Sequence, residues 1–144
     1  MKAKNSDNWG VPISLQAYLK DHYKISRFDP APYPRPKNFD GLTRDWSKYK
    51  GVILVNPPFK DIKSWVKKCN EEMKKGVYSI LLMPNNRSHT EYWNRYVVGE
   101  ARVQDIQGRL RYVDLDNSAE AKYDMSPWGS VLVHFDPMNE KIKK

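Results

Sequence analysis

The chain has 144 residues, which fits one domain, and 40% of them are hydrophobic, enough for a core and too many for a globally disordered chain. The formal net charge of +8 favours non-specific attraction to a polyanion, although a solvated lysine-rich surface carries the same signature. Cys69 is the only cysteine, which excludes an intrachain disulfide and a cysteine-based zinc site and points to a reducing compartment.

Residues 1–8 are polar and read as a flexible N-terminus. Trp9-Gly10-Val11-Pro12 follows, and Ser14 is placed to cap a helix over 14–23 with Leu15, Tyr18 and Leu19 on one face. Residues 24–28 read as a short strand ending at Asp29-Pro30. Four prolines within 30–36 exclude helix and paired strand there, leaving an extended loop. Asp40-Gly41 signals a turn, with Leu42 and Trp46 as anchors.

An apolar strand over 51–55 ends at Asn56-Pro57-Pro58-Phe59. Beyond it Ile62, Trp65, Val66, Cys69 and Met73 fall at helical spacing until Gly76 stops the run. Lys60, Lys63, Lys67, Lys68, Lys74 and Lys75 occupy the opposite face, which suits either phosphates or plain solvent. A second strand over 77–83 leads to Pro84-Asn85-Asn86-Arg87, and Ser88 is placed to cap a helix running to Val98. Residues 101–106 and 109–113 read as a hairpin-like pair joined at Gln107-Gly108. Residues 114–129 read as a long loop, and 130–135 as the last strand. Strands alternating with helices argue an α/β sheet with helices on its faces and an antiparallel strand near the C-terminus. Residues 9–137 form a single domain in this reading, and 138–144 a basic tail.

The Asn56 turn organises the rest. Its two prolines stiffen it, and a strand that stops there puts it on the rim of the sheet, where open α/β sheets bind ligands. The Asn56 side-chain oxygen and the Pro57 carbonyl can then accept from the two hydrogens of one planar amino group, with Phe59 covering the ring that carries it. Two acceptors on those hydrogens localise a lone pair otherwise delocalised into the ring, which favours methyl transfer to the nitrogen. The same four residues also suit a purely structural turn, or a site for a glutamine amide.

An ordered series of motifs joins this turn. It comprises Trp9 with Pro12, Phe28-Asp29-Pro30-Ala31, Asp40-Gly41-Leu42 with Trp46, Asn56 to Phe59, Trp65, Leu82-Met83-Pro84, Trp93, Gly108-Arg109-Leu110-Arg111-Tyr112 and Pro127-Trp128-Gly129-Ser130. Together these resemble the phage-type, Dam-like DNA N6-adenine methyltransferases over residues 9–136. The chain departs from that pattern at Val11, where threonine is usual, and at Pro32, where a small residue is usual.

The resemblance implies a compact, minimal Rossmann-like methyltransferase sheet and S-adenosylmethionine as cofactor. It implies catalysis by Asn56, Pro57, Pro58 and Phe59. It assigns the cofactor to Trp9, Pro12, Asp29, Pro30, Ala31, Asp40 and Asn56, and nucleic acid to Arg87, His89, Arg109 and Arg111. DNA is the expected partner, with RNA adenine or a protein glutamine as alternative substrates and a non-catalytic nucleic-acid-binding relic as a third reading. Target recognition falls to loops 30–40 and 114–129 or to a homodimer partner. The three histidines lack metal-ligand spacing, so no metal is expected. Neither a membrane-spanning stretch nor a signal peptide is apparent, and a cytoplasmic location follows, in a bacterial or other host cell if the chain is phage or virus encoded.

Overall fold

The structure is a computed structural model that describes residues 9–106, 111–114, 123–125 and 129–138, with the side chains of Trp9, 111–114 and 123–125 left aside. Four strands make a mixed sheet in the order β2 (Ile53–Val55), β3 (Ser79–Pro84), β7 (Ser130–Phe135), β4 (Arg102–Ile106). β2 and β3 are parallel, and β7 runs antiparallel to both β3 and β4. The antiparallel strand near the C-terminus is therefore present. On the outer side of β2 only one bridge forms, Ile25 with Val52 in parallel sense, so the expected strand over 24–28 contracts to a single paired position. Two hydrogen bonds hold it, Ser26 N to Val52 O and Val52 N to Lys24 O, both 2.8 Å.

Alternation along the strands builds two cores. Ile53, Val55, Leu81, Met83, Val131, Val133 and Phe135 face one side and pack with Ile62, Trp65, Val66 and Cys69 of α2 (Ile62–Met73). Tyr92, Trp93 and Tyr96 of α3 (Glu91–Tyr96) close that layer. Ile80, Leu82 and Leu132 face the other side and meet Val11, Leu15 and Leu19 at α1 (Ile13–His22). The α/β architecture with helices on both faces thus follows from the pleat and from the apolar stripe of each helix.

Local chemistry moves several boundaries. Pro12, not Ser14, is the N-cap of α1: its ψ of 142° is extended although its φ of −56° is helix-compatible, and Gln16 N donates to its carbonyl at 3.0 Å. Thr90, not Ser88, caps α3, its hydroxyl accepting from Trp93 N at 3.3 Å. Gly76, with φ +96°, stops the α2 segment, a conformation that side chains disfavour. The late strands are not a hairpin pair. β4 joins the large sheet, whereas β5 (Arg111–Asp114) pairs antiparallel with β1 (Trp9–Gly10) and with β6 (Tyr123–Met125) in a second small sheet. β6 lies inside the stretch expected to be only loop. The expected turn at Gln107-Gly108 and residues 1–8 and 139–144 lie outside the described residues.

Candidate active site

The rim of the large sheet gathers most of the expected site. β2 ends at Val55, and Asn56 is the next residue. Ile25 and Val52 are partners in a parallel bridge, so the segment that leads to Asp29 starts alongside β2 in the same direction, before the chain bends at Arg27. Pro84 ends β3 on this rim, opposite Ser130 at the start of β7, and Asn85 N donates to Gly129 O at 2.9 Å. β4 also ends on this edge, because Ile106 pairs with Ser130.

Within the turn, Pro57 is buried and Asn56, Pro58 and Phe59 are half-buried. Pro58, at φ −60° and ψ 132°, leads into a 3-10 turn over Phe59–Asp61 that runs directly into α2. Phe59 packs against both cores and stays half-buried. The Asn56 Oδ1 atom is screened from solvent by the turn.

The loops bearing the cofactor candidates are packed together. A Cβ on Gly41 would run into the carbonyl oxygen of Pro30, so glycine alone permits the contact, and both residues are buried. Gly41 O also accepts from Trp46 Nε1 at 2.9 Å. Asp40 Oδ1 accepts from Leu42 N at 3.0 Å and Asp29 Oδ1 from Ala31 N at 3.0 Å. Both aspartates therefore have the loop-capping role that short polar side chains take. Asp29 has a further property. The residue is exposed at one side, yet surrounding protein desolvates its carboxyl and raises its pKa, with only the Ala31 N–H opposing the shift. A cation placed there would relieve that cost.

The remaining candidates divide. Pro12 is buried at the start of α1, and Trp9 enters the structure through its backbone pairing with Asp114. Arg87 is half-buried after β3 and donates to the Asn86 side chain, while its carbonyl accepts from Thr90 N at 3.0 Å. His89 is exposed in the same loop. Arg111 lies in β5 opposite Met125, at backbone level. Arg109, Gly108 and Trp128 fall outside the described residues. The contact of Pro30 with Gly41, and that of Asn85 with Gly129, had no signal beyond two small residues near turns. Among the described residues no group of three or more His, Cys, Asp or Glu gathers to hold a metal, and no helix is long and apolar enough to cross a membrane.

A mixed sheet with helices on both faces and an Asn-Pro-Pro-Phe turn at the end of a parallel strand defines an α/β protein, with the candidate site at the end of β2. The model of the DNA N-6-adenine-methyltransferase (Dam) family matches residues 1–144, and the chain belongs to that family. No curated protein and no solved structure matches it.

Proposed function

We propose that residues 9–137 form one S-adenosylmethionine-dependent methyltransferase domain that methylates adenine N6 in DNA at the Asn56 turn. The observation that carries this reading is the position of that turn directly after β2, which runs parallel to β3 and to the Ile25 bridge of the segment that leads to Asp29. Family membership supports the substrate. The parallel run of the Ile25 bridge, β2 and β3, with antiparallel β7 inserted before β4, supports a pared-down Rossmann-like methyltransferase sheet.

The residues present suit the cofactor. Among the described residues no cation pairs with the desolvated Asp29 carboxylate, which would take the ammonium of the methionine moiety. Asp40 uses Oδ1 on Leu42 N and keeps Oδ2 for a ribose hydroxyl. S-adenosylmethionine supplies a methyl group on a positively charged sulfur. The target base is extracted from the duplex, and Phe59 stacks on it. Asn56 Oδ1 and Pro57 O would accept from the two N6 hydrogens and localise the nitrogen lone pair, and the cofactor would supply the methyl group, its S–CH3 bond breaking to leave a neutral thioether. Charge that builds on N6 is stabilised by those two acceptors, and the proton then leaves to water. The step needs no strong base and no covalent link to the protein. A lone buried cysteine, its thiol pushed up to about 12 by burial, suits a protein of the reducing cytoplasm.

The test is transfer of labelled methyl from S-adenosylmethionine to unmethylated duplex DNA, read by nucleoside mass spectrometry. N6-methyladenine from the wild type, and none from a folded Asn56→Ala variant, is the expected result. Label in RNA or protein alone would replace the substrate, and full activity in Asn56→Ala would remove the mechanism.

A further inference from the structure

The lysines around α2 separate by what they touch. Lys68 has a side chain only 12% exposed and donates to Arg44 O at 2.6 Å and to Glu72 at 3.1 Å. Lys75 lies between Glu72 at 2.6 Å and Asp45 at 3.0 Å. Lys74 faces Glu100 at 3.5 Å. These three are neutralised within the protein. Lys63 and Lys67 are exposed, and among the described residues neither has a carboxylate in ion-pair range.

Their placement is specific. Four residues apart on a helix, they lie within about 40° of each other around the axis and about 6 Å apart along it. Lys63 stands in the first turn of α2, which follows the Phe59–Asp61 turn without a break. The pair therefore begins beside the Asn56 turn and leads away from it. Asp61 at the upper end is engaged by Ser64 Oγ at 2.7 Å, and exposed Glu71 ends the stripe one turn below Lys67. Two ammonium groups one helical turn apart present positive charge at two successive positions along the helix. They suit a repeating polyanion that crosses the helix.

We propose that Lys63 and Lys67 clamp two consecutive phosphates of the DNA strand that carries the target adenine. This rests on the DNA reading above and adds the surface that seats the strand. Lysine serves here as a mobile point charge, which positions a backbone without reading its sequence. Each phosphate neutralised on duplex DNA steepens the fall of log K with log salt by about 0.9.

The test compares binding to an unmethylated duplex across a potassium chloride series for wild type, Lys63→Gln/Lys67→Gln and Lys74→Gln. The double variant should lose about 1.8 from the salt slope and Lys74→Gln almost nothing, since Lys74 already faces Glu100. The double variant should also show a raised KM for DNA, with kcat at saturating DNA and cofactor affinity unchanged. A wild-type slope and KM in the double variant would overturn the clamp and leave the activity untouched. Wild-type protein that neither binds nor methylates duplex DNA would overturn both. A slope loss confined to RNA would overturn the DNA assignment in favour of an RNA strand.

Discussion

The buried carboxylate of Glu72 on α2 accepts a hydrogen bond from the backbone N–H of Trp46 at 2.8 Å. Trp46 is fully buried, and its indole N–H donates to Gly41 O, whose residue packs on Pro30. Glu72 thus fixes the segment that carries the loops of the candidate cofactor site, while Lys68 and Lys75 balance its charge. Glu72→Ala leaves a buried N–H without an acceptor and Lys68 without its counter-charge. The expected loss is about 2–4 kcal/mol in urea denaturation. Glu72→Gln keeps an oxygen for Trp46 and should lose roughly half as much. Equal losses in both would mean that the charge, not the Trp46 bond, is what matters.

Gly41→Ala tests the contact between the loops directly. The new methyl group meets the Pro30 carbonyl, which is backbone and cannot swing aside. Overpacking of this kind costs about 1–3 kcal/mol. Because both loops must part, cofactor affinity should fall as well. A variant with wild-type melting temperature and wild-type cofactor affinity would show that the two loops move independently of the site.

How much of this was legible in the sequence depended on range. The 53–55 strand, the Asn56 turn and the α2 stripe were readable because apolar runs and 3.6-residue spacing are local signals. Gly76 announced its stop for the same reason. The reading failed where partners lie far apart in the chain. Residues 101–106 and 109–113 look like two arms of a hairpin, yet β4 pairs with Ser130–Phe135 and β5 with Trp9–Gly10. Alternation shows that a strand exists and cannot name its neighbour. Lys68 likewise looks like any other lysine of the polar face, and only Glu72 and Arg44 O reveal that it is turned inward. In the site, the motifs gave residue types, while the packing of Gly41 on Pro30 and the bond from Asn85 N to Gly129 O came from pairings distant in the chain.

Asp29 separates function from stability. Its carboxyl is desolvated and raised, with a single backbone N–H as compensation. Removing the charge by Asp29→Asn should leave the melting temperature unchanged or raise it. Affinity for S-adenosylmethionine should drop, since a charge-assisted hydrogen bond contributes about 1.5–3 kcal/mol, on the order of ten- to a hundred-fold. Calorimetry of cofactor binding beside a thermal melt reads both. A lower melting temperature with unchanged affinity would reduce Asp29 to its loop-capping bond with Ala31.

His134 makes stability depend on pH at the far end of the sheet from the candidate site. It is fully buried on β7, with Nδ1 2.9 Å from Tyr78 OH and Nε2 2.8 Å from Gln104 Oε1. The Tyr23 ring lies 5.8 Å away, and Arg102 and Asp136 complete its charged surroundings. Burial pushes the imidazole down to about 4, Arg102 adds to this, and Asp136 opposes it. A histidine whose folded pKa is depressed takes up its proton in the unfolded chain first. Its contribution is therefore complete above the ordinary value near 6.5 and is lost as pH falls from there to about 4. The loss is on the order of 3 kcal/mol if the whole shift is felt. Urea denaturation at pH 7 and pH 4.5 should show the wild type losing more stability than His134→Gln, which cannot titrate. Parallel losses in the two proteins would place the acid sensitivity in the carboxylates instead.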